Sequence, residues 1–597
     1  MADSNGLVNL TIDDREVSAP RGTLVIEAAD GLGIDIPRFC YEKRLDPSGN
    51  CRMCLVEIEG MPKLQTSCTT PVADGMVVRT ETEVVKQARA EQLEFLLLNH
   101  PLDCPVCDKG GECPLQNLTL AHARSPGRFP LEWKRHWEKP IALGPRIHLD
   151  RERCIHCARC VRFCDEIAWH PVLELRERGA FCEIFSVSDP PLDTQFSGNT
   201  IDVCPVGALT SRQFRFRARP WQLSDTPSIC ALCGCGCNVT LQARTGRLER
   251  MLPRENSEID GGWLCDRGRF GSVDEANSPD RLTAPMLREG NKPMSVSWDR
   301  AFEATVDALS AAREAGELCI VVGPTLTDEE LHAAQHLAAK LDAKLRAWPG
   351  HELLRAAYAR GLTTARIVDI DDADAIVLLC ADVSTDLPIV DLRIKKAIRR
   401  NGTRLVVVHP EQTEFSRHAD EWLQGGRELL SQAADRIRDG AERPVLVVGR
   451  AACDGTENGI AELLDSLAAL ASDSGVRLLF VAEHGNSMGI AVHDIQGLTP
   501  EDASGTLYVL DADIATDASL KEKLSGVETL VYQGSALTDT ARAADILLAG
   551  AGFAERVGTL TSMEGREQGI ARAVQPPGDA QPGLDIIREL RLRVVDE

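Results

Sequence analysis

Between positions 40 and 265 the chain places fifteen of its 21 cysteines, together with one histidine, in four successive sets of four. The sets are Cys40, Cys51, Cys54 and Cys68; His100, Cys104, Cys107 and Cys113; Cys154, Cys157, Cys160 and Cys204; and Cys230, Cys233, Cys237 and Cys265. Each contains at least one C-x2-C pair, the spacing that lets a single loop present two thiolates to a common centre. An odd number of cysteines in a reducing compartment argues against a disulfide framework and for metal ligation. The reading that follows is a row of iron–sulfur clusters, and therefore a protein that moves electrons.

The first set, C-x10-C-x2-C-x13-C, suits a [2Fe–2S] centre held by a close pair and two neighbouring segments, with tetrahedral zinc as the alternative that a C-x2-C pair leaves open. In the second, HPLDCPVCDKGGEC, His100 stands four positions before a triplet that lacks a fourth cysteine, and imidazole is a competent iron ligand. Gly110 and Gly111 let that loop turn tightly. The third set begins as Cys154-x2-Cys157-x2-Cys160-x3-Cys164, with Cys204-Pro205 downstream. A two-cluster ferredoxin would carry a second triplet ten, seven and four residues before Cys204, and this chain has Thr194, Ser197 and Thr200 there. One [4Fe–4S] cluster on Cys154, Cys157, Cys160 and Cys204 is thus expected, with Cys164 a spare thiol and Cys182 without a partner set. The fourth set also fits [4Fe–4S], and Cys235 competes with Cys237 for its third place.

The remainder reads as ordinary globular chain. The net charge of -24 argues against nucleic acid and anionic membrane surfaces. No apolar run of membrane-spanning length and no charged-then-apolar leader occurs, so a cytoplasmic protein is expected. Short alternating runs at Leu7–Ile12 and Leu55–Ile58 suit a small β-rich domain to about residue 78, and helical spacing over Glu83–Asn99 puts His100 at a helix end. A Pro-, Trp- and Arg-rich linker is expected from Arg124 to Arg146. Beyond Leu282, apolar strands at 318–322, 375–380, 405–408, 445–448, 478–481 and 507–510 alternate with amphipathic helices such as 328–341, the pattern of a parallel sheet with helices on both faces. Cys319, Cys380 and Cys453 fall in or beside those strands as buried small hydrophobes. Gly323 and Gly550-Ala551-Gly552 make no dinucleotide fingerprint and read as structural turns.

The stretches FLLLNHPLDCPVCDKGGECPLQN, ERCIHCARCVRFCDEI, SGNTIDVCPVGALTSRQFRFRARPW and WLCDRGRF resemble the family of the cluster-bearing G subunit of bacterial NADH-quinone oxidoreductase, respiratory complex I. The resemblance is dense to about residue 300 and resumes weakly at DLPIVDLRIKKAIRRNGTRLVVV and ADILLAGAGFAERVGTLTSMEGREQG. It implies a multidomain fold, α+β and then α/β. The parts are an N-terminal β-grasp [2Fe–2S] ferredoxin-like domain over 1–78, a [4Fe–4S] segment with one histidine and three cysteine ligands over 79–123 and a single-cluster [4Fe–4S] ferredoxin-like domain over 140–220. A [4Fe–4S] domain of molybdopterin-oxidoreductase type over 223–280 and a molybdopterin-oxidoreductase-like α/β region without cofactor over 281–597 complete it.

The same resemblance implies one [2Fe–2S] and three [4Fe–4S] clusters, no molybdopterin, and no catalytic residue of the chain's own. It implies the other peripheral-arm subunits of the complex as partners, the flavin/NADH-binding subunit among them, with indirect membrane association on the cytoplasmic face. The chain is shorter than is usual for the family, and the β-barrel that closes over the pterin in molybdopterin enzymes is expected to be missing. The rival readings are the catalytic subunit of an NAD-linked molybdenum or tungsten formate dehydrogenase, which needs a cysteine or selenocysteine on the metal after Trp298, and a non-catalytic cluster-bearing scaffold.

Overall fold

The computed structural model describes residues 6–124, 127–290, 292–438, 440–453 and 455–594. The chain forms two compact units, Met1–Gln222 and Leu223–Glu597.

In the first unit, five strands pair in the order Arg15–Pro20, Leu7–Ile12, Met76–Arg79, Leu55–Ile58, Gln65–Thr66. The alternation in LVNLTI turns Val8, Leu10 and Ile12 inward, where they meet Val25, Ile26, Ala28 and Ala29 of the helix Val25–Gly31. Leu7–Ile12 runs parallel to Met76–Arg79, with Leu10 opposite Met76, so the core is sealed by strands distant in sequence. The helix Glu83–Leu97 follows, capped by Thr82, whose hydroxyl accepts the Val85 N–H. It stops short of the expected Asn99, and His100 lies three residues past its end, where its N–H still donates to Leu97 O at 3.2 Å. Part of the expected linker is strand: Ile141–Leu143 pairs with Ile147–Leu149, and this in turn with Leu209–Ser211.

The second unit opens with a three-stranded meander, Ser224–Ile229, Asn238–Arg244 and Arg247–Pro253. The expected α/β strands are present, displaced by at most one residue at either end, but they do not form a single sheet. Leu318–Val322 and Thr506–Leu510 belong to a seven-stranded sheet with Lys344–Ala347, Thr529–Gly534, Ile546–Ala549, Met286–Glu289 and Lys292–Ser295. Ala375–Leu379, Arg404–Val408, Pro444–Val448 and Arg477–Phe480 form a separate five-stranded parallel sheet with Glu421–Leu423. Leu318–Val322, Ala375–Leu379, Pro444–Val448 and Thr506–Leu510 are buried on both faces, so periodicity alone carries no information about which sheet each joins.

The helix Asp328–Lys340 is held by a capping box, with Glu330 N–H to Thr327 Oγ1 at 3.2 Å and Thr327 N–H to Glu330 Oε2 at 2.8 Å, and it buries Leu331, Ala334, Leu337 and Ala338. Gly323 serves packing: a β-carbon there would lie 2.1 Å from the Asp511 carbonyl oxygen. Cys319 and Cys380 are buried as expected. Cys453 is not: it follows the turn Arg450–Ala452 and is only half-buried, because it lies beyond the strand rather than in it. Among the described residues no helix is long and apolar enough to cross a membrane.

Candidate functional site: four thiol sets

Cys40, Cys51 and Cys54 sit on an irregular loop that ends at the strand Leu55–Ile58, and Cys68 follows the strand Gln65–Thr66. Left-handed backbone at Gly49 and Arg52 curls the loop inward. All four thiols are buried. Cys51 and Cys68 both hydrogen-bond to the Cys40 sulfur, which they hold far below the usual thiol range, and Cys54 also contacts Cys68. Hydrogen bonds from the Cys68 side chain and backbone, with one from the Ser67 side chain, bring Cys54 down to about 7 against its burial. The loop also turns a backbone donor on the group: Cys40 N–H to Cys51 Sγ is 3.4 Å.

The second set surrounds a cavity of about 220 Å³ lined by His100, Cys104, Cys107, Cys113, Arg153 and Gly207. Cys104 opens a 3-10 turn, and Cys113 precedes the helix Pro114–His122, whose Pro114 occupies the first position. The glycine pair between them is needed for space as well as for turning. A β-carbon at Gly111 would lie 2.4 Å from the Trp221 ring, and one at Gly110 would lie 2.9 Å from the Arg219 guanidinium, which itself donates to Cys107 O at 2.5 Å. Burial, reinforced by Lys134 and Arg153, pushes the His100 imidazole down to about 4, so it is neutral. Its Nδ1 is buried without a hydrogen-bond partner. A neutral imidazole and three thiols around one cavity form a donor set that fits an iron–sulfur cluster.

In the third set, left-handed backbone at His156 and Ala158 wraps the loop around Cys154, Cys157 and Cys160, while Cys204 follows the short helix Asn199–Val203. Burial raises Cys154, Cys157 and Cys160, each within electrostatic reach of Cys204. Cys164 is fully buried on the next helical turn, pushed up to about 12 by burial and by Asp165. Cys182 lies within electrostatic reach of Cys154, a neighbour that no spacing rule points to across 28 positions.

The fourth set belongs to the second unit. Cys230 follows one strand of the meander and Cys237 precedes the next, joined by Cys230 N–H to Cys237 O at 2.8 Å. Cys265 precedes the turn Arg267–Gly271 and accepts the Gly268 N–H at 3.3 Å. Cys235 is fully buried among them. Its thiol hydrogen-bonds to Cys233, which is held down to about 6 by that bond and by Arg267.

Within the first unit three of these sets are contiguous. Arg162 donates to the carbonyl oxygens of Cys40 and Asp46. Arg159 reaches Tyr41 O, and also Val203 O at 3.2 Å, the residue before Cys204. On the far side of Cys204, Pro205 O lies 3.9 Å from Cys113 Sγ. The order along this row is first set, third set, second set.

Models of known families match in the same sequence of parts. A 2Fe-2S iron-sulfur cluster binding domain matches residues 6–83, the NADH-ubiquinone oxidoreductase-G iron-sulfur binding region 89–125, and the ferredoxin-like domain of NADH-quinone oxidoreductase subunit 3 144–210. The molybdopterin oxidoreductase Fe4S4 domain matches 223–274 and molybdopterin oxidoreductase 281–593. The G subunit of NADH-quinone oxidoreductase from Streptomyces coelicolor is 34% identical over 96% of this chain and 76% of its own length. The chain belongs to the G-subunit family of NADH-quinone oxidoreductase. The Mycobacterium tuberculosis member is 39% identical over 81% of this chain, and the match spans 62% of that protein. Subunit 3 of Thermus thermophilus is 34% identical over 97% of this chain and 82% of its own. The resemblance read from the cysteine motifs is therefore borne out along nearly all of this G-subunit chain, including the α/β region where the motif evidence was weak.

Proposed function

We propose that the chain is an iron–sulfur electron-transfer subunit of NADH-quinone oxidoreductase, standing between the flavin-bearing subunit that oxidises NADH and the subunits that pass electrons to quinone. Bound clusters supply one-electron carriers whose outer-sphere exchange requires no acid, base or nucleophile. The residues assigned to hold them are Cys40, Cys51, Cys54 and Cys68 for one [2Fe–2S]. His100 with Cys104, Cys107 and Cys113, then Cys154, Cys157, Cys160 and Cys204, then Cys230, Cys233, Cys237 and Cys265 are assigned to three [4Fe–4S].

The observation that carries this reading is the unbroken contact from Cys40 through Arg162 and Arg159 to Val203 and Cys204, and on through Pro205 to Cys113. The residues have definable roles. The buried thiols keep water from the centres, and the Arg159 and Arg162 guanidiniums place positive charge between two of them. His100, held neutral, adds no negative charge where a thiolate would, which raises the potential of its site. Cys104 is the exposed member of its set, so the His100 end of the row is the end open to a partner subunit.

The first sheet with its crossing helix is read as a β-grasp, and the segments 1–78, 79–123, 140–220, 223–280 and 281–597 as the domains. The α/β region is assigned no molybdopterin: Cys319 lies inside a strand, and Cys380 and Cys453 follow strand ends. Partners are the other peripheral-arm subunits, with indirect attachment to the cytoplasmic face of the membrane. Anaerobic mixing tests the assignment. NADH should bleach the visible absorption of the cluster-loaded chain only when the flavin-bearing partner is added. Bleaching of the chain alone, or none with the partner present, would overturn it.

A further inference from the structure

Three histidines of the second unit belong to none of the cysteine sets. His332 and His336 lie four residues apart on the helix Asp328–Lys340, hence on one face, and both are exposed. Their rings meet edge to face with centroids 4.4 Å apart, and the two Nε2 atoms are 2.9 Å apart. His493 caps the helix Ser487–Val492 and places its ring centroid 6.3 Å from that of His332.

Gln335 settles the tautomer of His493. Its amide nitrogen donates to the His493 carbonyl oxygen at 2.8 Å, which turns its amide oxygen toward His493 Nδ1 at 3.0 Å. An amide oxygen only accepts, so Nδ1 carries the proton and Nε2 keeps its lone pair, the arrangement found where an outer hydrogen bond orients a metal-binding imidazole.

The 2.9 Å separation has two chemical meanings: a hydrogen bond between neutral imidazoles, or two lone pairs aimed at one cation. At a metal–nitrogen distance of about 2.0–2.1 Å, that separation subtends roughly 90° at the metal, whereas a tetrahedral centre needs about 3.3–3.4 Å. A right-angle pair of nitrogens is the geometry of tetragonal Cu2+ and Ni2+. The Asp328 and Glu329 carboxylates begin the same helix, so the local field favours a cation.

We propose that His332 and His336 form a chelate for a tetragonal divalent transition-metal cation of the Ni2+ or Cu2+ type, and that His493 closes on it as a third ligand, tying the helix Asp328–Lys340 to the helix Ser487–Val492. Among the described residues no third His, Cys, Asp or Glu side chain already completes a metal-holding group with this pair. The histidine pair is therefore the primary site, and the His493 ring swings in on binding.

The test is equilibrium dialysis of the untagged, cluster-loaded full chain against Ni2+, with bound metal counted and cluster absorption recorded in each sample. Comparison with His336→Ala removes any contribution from spare thiols. The wild-type chain should bind about one more Ni2+ than His336→Ala, and Ni2+ should raise its melting temperature but not that of the variant. His493→Ala should bind the same number about tenfold more weakly. Equal nickel in wild type and His336→Ala, both with intact clusters, overturns the site. Unchanged affinity and melting shift in His493→Ala overturn the third ligand. His336 is exposed, so His336→Ala keeps the fold, and the metal-free melting temperature of His493→Ala, compared with that of the wild type, shows that its weaker binding is not unfolding.

Discussion

Gly207 stands so close to Cys107 that a β-carbon at that glycine would lie 2.1 Å from the cysteine sulfur. The residue comes from the loop that follows Cys204, so the glycine is where the third set meets the second. Gly207→Ala is expected to displace Cys107, the nearest atom being a proposed iron ligand rather than the free end of a flexible chain. The variant should lose about four of some 14 iron atoms, the content of one [4Fe–4S], with the loss confined to the second site. Iron analysis with low-temperature paramagnetic resonance reads this directly, and full retention of the second signal would refute the assignment of Cys107.

Ligation by His100 makes a second pair of variants informative. His100→Ala should perturb the second site's paramagnetic signal and leave the [2Fe–2S] signal intact. His100→Cys should retain a cluster at a lower potential, since a thiolate adds a negative charge where the imidazole adds none. A redox titration that finds no shift would remove His100 from the set.

The fourth set offers a choice between two buried thiols. Cys237 is expected to be the ligand and Cys235 a hydrogen-bonding neighbour of Cys233. Cys235→Ser should therefore keep about 14 iron per chain, and Cys237→Ser should fall to about 10. The reverse outcome would exchange their roles. Cys164→Ala should likewise leave iron content unchanged, because Cys204 completes the third set.

Arg159 and Arg162 join the first set to the third through carbonyl oxygens of Cys40, Tyr41, Asp46 and Val203. Hydrogen bonds from a charged donor contribute about 1.5–3 kcal/mol each and Arg162 makes two of them, so Arg162→Ala should destabilise this junction by roughly 3–6 kcal/mol. Limited proteolysis around Cys40–Cys54 should accelerate. A cleavage rate equal to that of the wild type would show that the junction does not depend on Arg162.

A pH effect is expected from His351, which is only 8% exposed and whose Nε2 has no hydrogen-bond partner. Burial, with His484 and Arg450 nearby, pushes its imidazole down to about 3. The folded value lies below the unfolded one, so the unfolded chain takes up the proton first and stability falls as pH drops below about 6.5. Between pH 7.5 and 5.5 this loss is about 1.4 kcal/mol, and His351→Leu should abolish that part of the slope in denaturant titrations. A variant with the same slope as the wild type would show that His351 does not carry it.

Much of the candidate site was legible in residue spacing, because neighbouring ligands on one loop must be close in sequence. C-x2-C pairs and the His100 offset located the four proposed sets, the distant Cys204 and Cys265 came from ferredoxin-motif counting and the family resemblance, and the burial of Cys235 beside Cys233 leaves the same ambiguity that the spacing left. What spacing missed is what comes from afar. Cys182 within electrostatic reach of Cys154, and Gly207 against Cys107, join separate segments and leave no periodic trace. Strand positions were legible for the same local reason, whereas their division into a seven-stranded and a five-stranded sheet was not, since strands buried on both faces look alike whichever neighbour they pair with.

The sequence by itself determined the iron–sulfur character of the chain, the sets of side chains proposed to hold iron, and that the later half is α/β. Only the tertiary structure decided the order in which the sets stand. Along the chain they run first, second, third; in space the third set lies between the other two. The physical reason is that ligand spacing is a short-range property of one loop, whereas adjacency between sets depends on Arg159, Arg162 and the turn at Pro205 reaching segments up to 122 residues away.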